Sequence, residues 1–371
     1  MRKKQLKILA RCTGRGGVLA AFSLALIMVL SPAEAQSVAA GSQTLLAMEA
    51  AEQATAELPE IGDRLIPLGK TTGIKLFCEG PMVVGFAQLE SCSRCPAKEG
   101  GLQVGDVLLK LNGQQIGSNE AMKAMLTALP DEQAVFTVLR KDQEQLVTVN
   151  AVYDPALECW RIGAWIRDSV AGIGTVTFVD PETGVFGALG HGICDADTGD
   201  LVHFGSGSVM PSSVVDVQKS KSGTPGQLCG QFDLIHDQGW LVDNDATGIY
   251  GVLTHEEFYA GQQALETAAA EEIHEGAATI LSCVQGDTAQ EYDVQITRIY
   301  RDDGGRDMML QVTDPDLLAV TGGIVQGMSG SPICQNGKIV GAVTHVLVND
   351  PTRGYGIFIE NMLEAAGGAN G

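Results

Sequence analysis

Gly327-Met328-Ser329-Gly330-Ser331-Pro332 is the stretch on which the reading of this chain turns. A serine flanked by glycines fits a tight turn that leaves its hydroxyl exposed, and the N–H groups of Gly327 and Ser329 can then converge on one point, an oxyanion hole. The second glycine follows the serine directly, so the pattern is not the Gly-x-Ser-x-Gly elbow. A nucleophilic serine needs a base. His191 lies 138 residues earlier in Gly187–Asp195 (GALGHGICD), at the end of a strand of small residues. A neutral imidazole there can take the Ser329 proton and return it to a leaving amine. His345, after the apolar run Ile339–Thr344, is the rival base, whereas His203, His236, His255 and His274 sit in polar contexts and read as surface residues. The carboxylate that fixes the imidazole tautomer has two candidates: Asp233, 42 residues after His191, and Asp314, 15 residues before Ser329. Spacing alone favours Asp233.

Around this stretch, residues 153–371 hold many short runs of Val, Ile and Leu separated by glycine turns, with no β-α-β alternation, and predict an antiparallel β domain, closed or sandwiched. An Ala/Glu-rich stretch, Tyr259–Glu275, predicts a helix within it. The composition agrees: of 371 residues 46 are glycine, 45% are hydrophobic and 19% charged, which gives ample core material and favours turns over long helices. Length alone allows two or three domains. The net charge of −21 argues against nucleic acid as a partner, because phosphate binding relies on Lys and Arg.

That charge is uneven. Residues 1–35 carry six Lys/Arg and one Glu, leaving 18 basic and 44 acidic residues in the remainder, a net of −26. The basic stretch is followed by the apolar run Val18–Leu30 and by Ala33-Glu34-Ala35, the order of an export signal, either cleaved after Ala35 or kept as an anchor. The rest of the chain is then expected outside the cytoplasm, touching membrane only through this segment. Residues 36–65 read as a stalk or linker. Of nine cysteines, only Cys92 and Cys95 form a close pair, which reads as a local disulfide or as two buried thiols. No metal site and no cofactor are expected.

Between Ile66 and Val152 lie two strand patterns, a short helix, a Gly-Asp turn, a strand ending at Asn112-Gly113, a helix capped by Ser118 and two closing strands. The run AKEGGLQVGDVLLKLNGQQI, residues 97–116, resembles a PDZ domain. Such domains bind an extended peptide by strand addition. The resemblance sets Thr72, Gly73, Ile74, Lys75 and Leu76 as the peptide-receiving loop, with Lys75 where the family has a second glycine.

The spacing around Ser329 and the order of His191 and Ser329 match chymotrypsin-like proteases. More specifically, RIGAWIRDSVAGIGTVTF (161–178), GALGHGICD (187–195), VTDPDLLAVTGGIVQGMSGSPI (312–333) and GAVTHVLVNDPTRGYGIFIENML (341–363) resemble the SpoIVB peptidase family. The resemblance implies a mainly β fold: an export segment (1–35), a linker (36–65), an N-terminal PDZ domain (66–152) and a trypsin-like β-barrel serine peptidase domain (153–371). It carries the nucleophile onto Ser329, the base onto His191 and the acid onto Asp314, with Asp233 the alternative and Thr344 a support for the acid. It also implies self-cleavage in trans, and cleavage of a SpoIVFA-type membrane regulator in the space between forespore membranes, which activates sigma-K processing. The alternative from another class is a non-catalytic scaffold with a degenerate protease fold.

Overall fold

The computed structural model describes residues 58–233, 236–301 and 306–367. The expected export segment and the linker up to residue 57 lie outside the described residues.

The chain enters on one long strand, β1 (Arg64–Phe86), whose residues are buried along most of its length. From its far end it makes α1 (Pro96–Glu99), β2 (Val107–Leu111), β3 (Gln114–Gln115), α2 (Asn119–Thr127), β4 (Gln133–Arg140) and β5 (Gln143–Asn150). Ser118 caps α2 as its sequence suggests, its Oγ accepting the Ala121 N–H at 3.1 Å. Met122 and Leu126 face a core that holds Leu108, Phe136 and Val138. Burying each such side chain contributes on the order of 1.5–3 kcal/mol. The Gly105-Asp106 turn is fixed by a fork from Arg140, whose Nε and Nη2 donate to the two oxygens of buried Asp106 at 2.7 Å each.

A small hairpin, β6 (Val152–Asp154) and β7 (Cys159–Arg161), leads into β8 (Ala164–Val179), which returns antiparallel to β1 from Ala164↔Phe86 to Val179↔Ile66. The next strands are β9 (Val185–Ala188), β10 (Phe204–Gln218), β11 (Gln227–Phe232), β12 (Gly239–Asp245), β13 (Gly248–Leu253) and β14 (Leu265–Glu266). The order β10-β12-β13-β9-β8-β1 closes on itself because β1 also pairs with β10. This is a six-stranded barrel, with Ile74, Leu76, Val176 and Phe186 in its core.

The remaining strands are β15 (Gly276–Ser282), β16 (Gln290–Ile299), β17 (Met308–Val312), β18 (Pro332–Gln335), β19 (Lys338–Val346) and β20 (Arg353–Phe358). They form a second closed barrel in the order β15-β16-β17-β20-β19-β18. Helix α3 (Pro315–Thr321) leads into the turn before β18, and α4 (Ile359–Ala365) ends the described chain. A core containing Leu65, Phe178, Tyr250, Ile339, Ile357 and Met362 joins the two barrels. The fold is mainly β.

Three expectations are corrected. Thr72, Gly73, Ile74, Lys75 and Leu76 are not a peptide-receiving loop: both edges of this segment are taken, by residues 207–211 of β10 and by residues 170–174 of β8, so no edge is open to an added strand. The linker does not extend to residue 65, because Ile61 and Leu65 are buried in the core between the barrels. The PDZ unit is therefore not a separate block ahead of the barrels but an insertion between β1 and β8. Tyr259–Glu275 is no helix either. Leu265 pairs with Leu65 and Gly261 takes φ +78, leaving only 3₁₀ turns at Glu256–Phe258 and Ala270–Glu272. Strand pairing overrides helix propensity here.

Candidate active site

The serine turn and the histidine turn meet where the barrels join. Gly322, at φ +73, ends α3, and the chain then crosses to β18 through Gly327 and Gly330, at φ +98 and +94. Both are conformations that cost little only for glycine. A Cβ on Gly330 would collide with the Thr175 carbonyl and lie 2.6 Å from the Leu189 nitrogen, so the two turns touch backbone to backbone. The turn is laid on β19: the Gly330 N–H donates to the Val343 carbonyl at 2.7 Å, and the Val343 N–H to the Ser331 carbonyl at 2.9 Å.

Ser329 is 7% exposed, and its Oγ–H donates to the Thr344 carbonyl at 2.7 Å. Ser331 turns the other way and donates to Ser282 Oγ at 3.0 Å. Among the described residues the N–H groups of Gly327 and Ser329 find no acceptor, the condition for receiving a ligand oxygen.

β9 ends at Ala188, after which Leu189 and Gly190 both adopt left-handed backbone, φ +71 and +68. For Leu189 that conformation costs on the order of 1–2 kcal/mol, held by packing. The reversal presents His191. Its Nδ1 lies 2.9 Å from the Gly192 carbonyl, which can only accept, so Nδ1 carries the proton and Nε2 the lone pair. The ring is half-buried with Nε2 shielded from solvent, and burial pushes its pKa below the ordinary imidazole range. The His345 ring lies against it, centroids 5.1 Å apart and planes tilted by 42°. His345 is pushed down to about 4, first by burial, then by repulsion from His191 and Arg306. Both rings are therefore held neutral near pH 7.

Ser329, His191 and the carbonyl of Thr344 are thus brought together, and the N–H groups of Gly327 and Ser329 with them. The acid is not. Asp314 caps α3: Oδ1 accepts the N–H groups of Asp316 and Leu317 at 2.9 Å each, and Oδ2 the N–H of Asp293 at 3.3 Å, with no bond to His191. Its motif reads equally as a capping Asp before Pro at the first helical position. Asp233 is half-exposed and pairs with His236 Nδ1 at 2.8 Å. Thr344 does not support an acid. Its carbonyl holds Ser329, and its buried hydroxyl has no hydrogen-bond partner among the described residues. His191 Nδ1 reaches a main-chain carbonyl, that of Gly192, which no side-chain motif announces. Sequence reasoning also missed Thr175, whose N–H and hydroxyl both reach the serine turn; its only signal was its place in the run Gly172–Phe178. The thiols of Cys78 and Cys334 are pushed up to about 12 by burial and stay protonated at neutral pH. Cys92 and Cys95 are both free, Cys92 exposed and Cys95 half-buried.

In the PDZ unit, Ala164–Arg167 of β8 pairs with Met82–Phe86 on one edge, and among the described residues no strand pairs with the other. Asp168 at its end accepts the N–H of Asn119, the first residue of α2, at 2.9 Å. Trp165 on this strand is 63% exposed.

Two protein families match parts of the chain. A PDZ domain model matches residues 92–151. No curated protein matches the chain. Among solved structures, one described as "Crystal structure of Rv3671c protease, inactive form" is 16% identical over 53% of this chain and 84% of that chain, with a TM-score of 0.28. The model of the SpoIVB peptidase S55 matches residues 158–363, more than half of the chain, and the chain belongs to that family of peptidases.

Proposed function

We propose that the chain is a serine endopeptidase in which Ser329 attacks a peptide carbonyl. His191 Nε2 accepts the Ser329 proton and later delivers it to the leaving amine, and the N–H groups of Gly327 and Ser329 hold the oxyanion. The Gly192 carbonyl keeps Nδ1 protonated, and so does part of the work that a carboxylate does in a Ser-His-Asp triad. The observation that carries the reading is the convergence of the glycine-flanked Ser329 turn with the His191 turn, in a tautomer that leaves Nε2 ready to accept. In the arrangement described, the Ser329 hydroxyl is spent on the Thr344 carbonyl, so catalysis requires a rotation about its χ1 toward His191.

Family membership and the export-like N-terminal sequence support a protein that works outside the cytoplasm, between forespore membranes, tied to membrane only by that segment. Its substrates there are a second copy of itself and a SpoIVFA-type regulator whose cleavage activates sigma-K processing. The PDZ unit would choose or position these substrates, receiving an extended segment on the open edge of Ala164–Arg167. The alternative, a scaffold without catalysis, predicts a different outcome of one experiment. Wild-type full chain is mixed with a mass-tagged Ser329→Ala chain: an enzyme that processes itself in trans cuts the tagged chain only when wild type is present. A scaffold leaves it intact in both cases.

A further inference from the structure

β8 passes directly beneath both turns, and one residue on it uses all three of its hydrogen-bonding groups there. The Thr175 N–H donates to the Ser329 carbonyl at 3.2 Å, and its Oγ1–H donates to the Gly327 carbonyl at 2.7 Å. Its own carbonyl accepts the Leu189 N–H at 3.2 Å, two residues before His191, and abuts Gly330. The side chain is fully buried, at 0% exposure. Thr177, two residues further along β8, has a buried hydroxyl with no partner among the described residues, so the contact belongs to this position and not to threonines of the strand in general.

Gly327 is a glycine at φ +98 in the serine turn, and its N–H is one of the two proposed oxyanion donors. A hydrogen bond on its carbonyl fixes the peptide plane that follows it, and so limits how far the preceding N–H can swing. The Ser329 carbonyl is held in the same way from the N–H of the same residue. The geometry points to Thr175 as the positioning residue of this active site, clamping the oxyanion turn with its N–H and hydroxyl and the base turn with its carbonyl. It touches no reacting atom and acts through Gly327, Ser329 and Leu189. The inference rests on the serine-peptidase reading above.

Replacing the hydroxyl by a methyl group leaves strand, volume and main-chain bonds in place and frees the Gly327 carbonyl. The full-length wild type, Thr175→Val and Thr175→Ser chains are titrated with a fluorophosphonate, separating its binding constant from the rate constant of covalent labelling. Thr175→Val is expected to lower the labelling rate constant about 10- to 100-fold, as displacement of an oxyanion donor does, with binding within about 3-fold of wild type. Thr175→Ser is expected to restore the rate constant to within about 3-fold, a rescue that a merely structural role would not require. A valine variant that labels at the wild-type rate, or a serine variant that falls as far as valine, overturns the inference. Should the valine chain fail to fold, Thr175→Ala against Thr175→Ser makes the same comparison. A wild type that is not labelled removes the peptidase reading itself, whereas a labelled wild type with an equally reactive valine variant removes only the role of Thr175.

Discussion

His191 and His345 lie ring to ring with both pKa values driven down, and this pair sets a pH signature. A base works only when neutral, so the acid limb of the labelling rate is expected below the ordinary histidine pKa of about 6.5. The same shift acts on stability. The folded chain binds fewer protons at these sites than the unfolded one. The stabilisation is therefore complete above about pH 6.5 and is lost as pH falls toward the folded value, about 4 for His345. Urea midpoints measured between pH 7.5 and 4.5 should decline across that window, and His345→Gln should flatten the decline. Asp314 caps α3, and its replacement by Ala should lower stability by about 1 kcal/mol and leave fluorophosphonate labelling within about 3-fold. A true triad acid would cost about 10⁴-fold in rate. The serine and histidine turns were legible in the sequence as glycine-flanked reversals, and the structure lays them against each other. Asp314 was not, because Thr-Asp-Pro spells a helix cap and a catalytic motif with the same letters.

At the scale of elements, the misreading of residues 72–76 has a physical cause. Alternation of Ile74 and Leu76 with Gly73 and Lys75 states that a strand has a buried face, and does not state which sheet it joins. β1 spans 23 residues and belongs to two bodies, its first part to a barrel and its last to the PDZ sheet. The Gly-Asp and Asn-Gly turns and the Ser118 cap were local signals, and these were readable. A dissection follows from the insertion. A fragment of residues 153–371 lacks β1, which pairs with both β8 and β10, and should show no cooperative thermal transition. Phe86 and Ala164 are paired neighbours, so replacing residues 87–163 by a two-residue turn should keep both barrels folded. Calorimetry of the two chains checks this, and a cooperative transition in residues 153–371 would show that the barrels do not need β1.

Across the whole molecule, two closed barrels bring their turns together over a shared core, and the PDZ unit hangs on the same pair of strands that underlies the site. Ala164–Arg167 and Thr175 lie on one strand, the first beside the open PDZ edge and the second against the serine turn. Composition foretold the β class and the glycine-rich turns, but barrel closure depends on long-range pairings such as β1 with β10, which no local pattern encodes. Ser329 as a nucleophile activated by His191 is open to peptide mapping by mass spectrometry after fluorophosphonate treatment of the full chain. One adduct is expected, on Ser329, absent in Ser329→Ala and reduced by several orders of magnitude in His191→Ala. An unlabelled wild type, or an adduct that persists unchanged in His191→Ala, would overturn this assignment.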